Sequence, residues 1–132
     1  MKNQPLILVV DDEKNFLEIV SAKLVAAAFR VETAMSQVEA VMKAENLVPD
    51  LILMDINMPG ATGTDTALAL KQNSKTKNTR IVFLSNLKEP WMGFSGEDRA
   101  KMSRELGMEN FWDKAEVMDS LVDRVRSTLG KK

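Results

Sequence analysis

The chain has 132 residues, 18 basic and 19 acidic, with a net charge of −1 and 45% hydrophobic residues. That is the size and mix of one globular domain spanning 1–132, whose folding would bury roughly 67% of the unfolded surface. The chain contains 0 cysteines and 0 histidines, which excludes disulfides, thiolate metal sites, Ser-His-Asp catalysis and a phosphohistidine of its own.

Taken in chain order, the first element is an apolar run, Leu6–Val10, of a strand's length and far short of a signal peptide or membrane span. The near-neutral charge gives no field toward nucleic acid or an anionic membrane, so a cytoplasmic protein that binds neither is expected. Phe16, Val20, Leu24 and Ala27 follow as one helical stripe, then a strand at Arg30–Thr33. Ser36-Gln37-Val38-Glu39 reads as a capping box opening a helix whose buried face is Val38, Val41 and Met42. Strands are predicted at Leu51–Met54, Ile81–Leu84 and Glu109–Trp112. Between the last two, a helical pattern ends at Leu106 with Gly107 as its C′ residue, and Leu121, Val122, Val125 and Leu129 line a final helix. The order βαβαβαβαβα folds, by right-handed crossovers, into a doubly wound α/β domain with a parallel sheet.

Ligands of such sheets bind beyond the carboxyl ends of the strands. Asp11 and Asp12 follow the first strand, Asp55 the third, Ser85 the fourth and Lys114 the fifth. Two carboxylates about 4 Å apart repel by roughly 4 kcal/mol at an effective dielectric of 20, so three gathered on one rim require a cation. A hard, oxygen-only site suits Mg²⁺ or Mn²⁺. Asp55, alone at its strand end before Asn57-Met58-Pro59-Gly60, is then the carboxylate placed to attack a phosphoryl group. Read alone, Asp11-Asp12 also suits the start of a helix, Asp55 a turn, and Lys114 a solvated surface.

The segments Leu6–Glu13, Asp50–Gly60, Ser85 and Phe111-Trp112-Asp113-Lys114 resemble the receiver domain of two-component response regulators along nearly the whole chain. The resemblance implies a flavodoxin-like strand order 2-1-3-4-5, an order the family itself illustrates. It implies that Asp55 accepts a phosphoryl group from a sensor histidine kinase or phosphotransfer protein. Mg²⁺ would be held by Asp12, Asp11, Asp55 and the backbone carbonyl of Asn57. Ser85 and Phe111 would form the switch pair, and Lys114 would contact the phosphoryl group. An output protein would bind the fourth helix, fifth strand and fifth helix. The expected role is a stand-alone phosphoacceptor domain, not an enzyme in the ordinary sense.

Three features depart from the family pattern. Asn86 replaces the usual small residue after the switch hydroxyl, Ala115 replaces the usual proline after the lysine, and 87–96 is an insertion. Trp91 and Phe94 in that insertion either tuck in as a lid or face a partner. Trp112 either covers the sheet or marks a partner surface. These departures also fit an adaptor that binds independently of phosphorylation. A haloacid-dehalogenase-type phosphatase is disfavoured, because Asn57 stands where its second aspartate belongs.

Overall fold

The computed structural model describes residues 4–58, 61–85 and 110–130. Five parallel strands form one sheet: β1 (Leu6–Val10), β2 (Arg30–Ala34), β3 (Leu51–Asp55), β4 (Arg80–Ser85) and β5 (Asn110–Asp113). Their spatial order is β2-β1-β3-β4-β5, so the order of strand addition reverses between β1 and β3, the place where such sheets open a crevice. Each predicted strand is present, with β2, β3 and β4 a residue longer at one or both ends. All five residues of β1 and of β3 are buried, as unbroken apolar runs covered on both faces require.

Among the described residues the helices are α1 (Lys14–Ala26), α2 (Gln37–Leu47), α3 (Gly63–Gln72), a single turn α4 (Lys114–Val117) and α5 (Leu121–Leu129). Strand alternation sends Ile7, Val9, Leu51, Leu53, Val82 and Leu84 to one face, where Leu17, Val20 and Leu24 of α1 and Leu121 and Val125 of α5 meet them. Leu8, Val10, Ile52, Met54, Ile81 and Phe83 point the other way, onto α2 and α3. Trp112 is buried in the first of these layers, so its ring covers the sheet, with the Arg124 guanidinium 5.8 Å from the ring centroid.

Two helical faces differ from expectation. In α2 the buried residues are Ala40 and Ala44, with Val41 partly buried, while Val38 is 70% and Met42 59% exposed. Val38 and Met42 each lie two residues from Ala40, about 200° around the helix, so both cannot share its face. Small alanines let α2 approach the sheet closely, and the large residues turn outward. In α1, Leu17 is buried beside Val20 and Leu24, whereas Phe16 is only partly buried and Ala27 is the C-cap.

The ends of the helices follow local chemistry. The Ser36 hydroxyl accepts from the Glu39 N–H at 3.2 Å, and the Glu39 carboxylate reaches back one residue beyond the N-cap to accept from the Met35 N–H at 2.7 Å, a variant of the expected capping box. At the end of α1 the Phe29 N–H donates to the Leu24 carbonyl and the Ala28 N–H to that of Val25, both at 3.0 Å. This Schellman closure holds Ala28 at φ 72°, a region that favours glycine. The predicted helix ending at Leu106 and its Gly107 terminus lie outside the described residues, as does the 87–96 insertion. Among the described residues no helix is long and apolar enough to cross a membrane.

Candidate functional site

The crevice at the carboxyl end of the sheet is built by loops whose geometry the strands dictate. Beyond β1, the Asp11 N–H donates to the Ala34 carbonyl at the end of β2 at 3.0 Å, which continues the sheet by one residue and fixes the Asp11 backbone. The Asp11 Oδ1 then accepts from the Glu13 N–H at 2.9 Å, turning the chain into α1. Asp55 ends β3, in register with Leu84 of β4. The segment Asn57–Met58 pairs antiparallel with Ala61–Thr62, so the predicted turn is bracketed by a short hairpin directly after the acidic strand end.

Asp11, Asp12 and Asp55 each place a carboxylate oxygen so that the three lie within 4.8 Å of one another. Asp11 and Asp55 are buried and Asp12 is exposed. At 4.8 Å a pair of full charges repels by about 3.5 kcal/mol at an effective dielectric of 20, so this grouping is costly unless cations answer it. One cation comes from the chain itself. The Lys114 Nζ stands 2.6 Å from Asp11 Oδ2, 3.5 Å from Asp55 Oδ2 and 3.7 Å from Glu13 Oε1. Its ammonium also lies 4.8 Å from the centroid of the Phe16 ring.

Lys114 reaches this position although Ala115 replaces the family's proline. Lys114 is the first residue of α4, and the Asp113 carboxylate caps that turn by accepting from the Ala115 N–H at 3.2 Å. Burial drives the Lys114 ammonium toward lower pKa, but the Asp11 contact and the charges of Asp55, Asp11 and Glu13 outweigh it, and the pKa is raised. Burial pushes the Asp11 carboxyl up, with Lys114 and the Glu13 N–H offsetting only part of the effect. The buried Asp11 Oδ2 meets the Lys114 ammonium at 2.6 Å and has no further donor among the described residues. Hard oxygen donors and an excess of negative charge over the single lysine fit a divalent cation such as Mg²⁺.

Of the residues singled out by sequence, Asp11, Asp12, Asp55 and Lys114 come together in this crevice. Ser85 ends β4 in register with Asp113, Phe111 lies in β5 in register with Phe83, and Asn57 begins the hairpin. The side chains of Asn57, Ser85 and Phe111 lie outside the described residues, as do Asn86, Trp91 and Phe94. Sequence reasoning missed two neighbours of the lysine. Glu13 carries a signal, the third acid in an Asp-Asp-Glu run, whereas Phe16 looked like an ordinary member of the apolar stripe of α1.

A sequence profile of the response regulator receiver domain matches residues 7–126. Among curated proteins, the transcriptional regulatory protein PrrA of Mycobacterium leprae is 30% identical over 130 residues, covering 98% of this chain and 52% of its own length. The response regulator PleD of Caulobacter vibrioides is 37% identical over 81 residues, 61% of this chain and 18% of that protein. The chain thus spans about half of PrrA and less than a fifth of PleD. Among solved structures, the Vibrio cholerae chemotaxis protein CheY4 superposes with a TM-score of 0.81 at 28% identity, covering 95% of this chain and 98% of that one. With a profile match across nearly its whole length and the same strand order, this chain belongs to the receiver domain family of two-component response regulators.

Proposed function

We propose that the chain, as one receiver domain over 1–132, takes a phosphoryl group from a phosphohistidine of a sensor kinase or phosphotransfer protein onto Asp55, and that this switches its binding to another protein. The observation that carries the proposal is the grouping of Asp11, Asp12 and Asp55 within 4.8 Å, with Lys114 3.5 Å from Asp55. An Asp55 carboxylate oxygen attacks phosphorus, the P–N bond to the donor imidazole breaks, and its electron pair stays on the ring nitrogen. Asp11, Asp12, Asp55 and the Asn57 carbonyl would hold Mg²⁺ or Mn²⁺, which when bound offsets the charge of the phosphoryl oxygens. Asp55 is buried, which limits competing reactions with water. Lys114 pairs with a phosphoryl oxygen, and the Ser85 hydroxyl donates to another. Such relays operate in the cytoplasm, and the domain is a self-phosphorylating acceptor with slow hydrolysis, not a turnover enzyme.

Phosphorylation adds nearly two negative charges. Moving a population from 1:99 to 99:1 needs about 5.5 kcal/mol of differential stabilisation. Charge-assisted bonds from Lys114 and Ser85, with repacking of Phe111, supply several kcal/mol of that. The proposed readout falls to the predicted helix ending at Leu106 together with β5 and α5, with Trp91 and Phe94 of the insertion as further partner contacts. Incubation with acetyl phosphate and Mg²⁺, followed by intact-mass measurement, tests the reading. The expected result is a gain of one phosphoryl group that Asp55→Ala abolishes. No gain would overturn it in favour of the phosphorylation-independent adaptor, and a gain that survives Asp55→Ala would overturn the assignment of Asp55 as the acceptor.

A further inference from the structure

Among the described residues the Lys114 ammonium has four neighbours, and three of them are carboxylates. Asp11 and Asp55 are the two buried ones and also belong to the cluster suited to a metal ion. Asp11 and Asp55 would hold a divalent ion there, and its charge would weaken their attraction for a second cation beside it. Glu13 is a poor substitute, since its side chain is 68% exposed and solvent screens it. The remaining neighbour is the face of Phe16, 4.8 Å from the ammonium at its centroid. An aromatic face attracts an alkylammonium through its quadrupole but offers no lone pair to a hard metal ion, which prefers oxygen.

We infer that Phe16 is a positioning residue: its ring gives the Lys114 ammonium a foothold that metal binding does not remove, keeping it inside the crevice when Asp11 and Asp55 turn to the ion. The ring is well supported for this, since Phe16 packs against the buried layer formed by α1, α5 and the sheet. The Lys114 side chain, only 13% exposed, is already confined beside it. The inference rests on the proposed phosphoacceptor function for its consequence, though not for its geometry.

The test has two arms. In the first, the Lys114 ε-methylene protons are followed by NMR in the unphosphorylated protein during a Mg²⁺ titration. The expected signature is an upfield ring-current shift that persists at saturation, is absent in Phe16→Leu and is retained in Phe16→Trp. A shift that collapses when Mg²⁺ binds the parent protein would overturn the inference. In the second, mono-, di- and trifluorophenylalanine replace Phe16, weakening the quadrupole while leaving ring shape nearly unchanged. The rate of phosphorylation by acetyl phosphate at saturating Mg²⁺ should fall stepwise, by about 5-fold across the series, with no weakening of Mg²⁺ affinity. A flat series would overturn it. If Asp55 accepts no phosphoryl group at all, the proposed function fails, and the first arm still decides the role of Phe16.

Discussion

Replacing Lys114 by methionine removes the ammonium while keeping most of its apolar stem. At an effective dielectric of 20, the 2.6 Å approach to Asp11 corresponds to about 6 kcal/mol of attraction and the 3.5 Å approach to Asp55 to about 5 kcal/mol. Desolvating three ionic groups takes back much of this, so the net loss is set by the carboxylates left without their cation, about 3–5 kcal/mol. That loss applies only while the site lacks metal. A saturating divalent ion neutralises the same carboxylates, and the loss should shrink to about 1–2 kcal/mol. The difference of about 2 kcal/mol must reappear by linkage as roughly 30-fold tighter Mg²⁺ binding in the variant. Urea unfolding of parent and Lys114→Met, each in EDTA and in Mg²⁺, measures both losses, and a calorimetric Mg²⁺ titration measures the affinity ratio. Equal losses with and without the ion, or weaker Mg²⁺ binding by Lys114→Met, would refute the view that lysine and metal answer the same charges.

Further expectations concern the same crevice and the frame that carries it. In EDTA, Asp11 has a folded-state pKa above its ordinary value of 3.8, so its contribution to stability is present below pH 3.8 and is lost as pH rises through the folded value. The stability of the parent minus that of Asp11→Asn should therefore decline from acid toward neutral pH, and a rising difference would contradict the sign. Ala28→Gly should stabilise the protein by about 1 kcal/mol, because Ala28 sits at φ 72° at the end of α1, and thermal unfolding reads this as a raised Tm. Ser36→Ala should cost about 1 kcal/mol through loss of the cap on Glu39, measurable by urea titration, with no change in Mg²⁺ affinity.

Much of the fold was legible because its signals are local and strong. Leu6–Val10 and Leu51–Met54 are apolar without alternation, and both became strands buried along their whole length. The acidic residues could be placed because a parallel sheet presents every strand's carboxyl end on one side, so sequence position alone predicts convergence of Asp11, Asp12, Asp55 and Lys114. The face of α2 was not legible. Size favoured Val38 and Met42, but the packing distance between α2 and the sheet selects small residues, and that distance is a tertiary property carried by Ala40 and Ala44. Phe16 escaped for a related reason: an apolar stripe fixes which side of a helix is covered, but not that one ring at its edge meets an ammonium from a turn about a hundred residues later.

An acidic crevice completed by a divalent ion is the central proposal, and isothermal titration of the metal-free protein with Mg²⁺ tests it most directly. One ion should bind per chain, and Asp11→Asn combined with Asp12→Asn should abolish the uptake while the fold, followed by circular dichroism, persists. Absence of Mg²⁺ uptake by the parent at millimolar concentration, or uptake unchanged in the double variant, would contradict it.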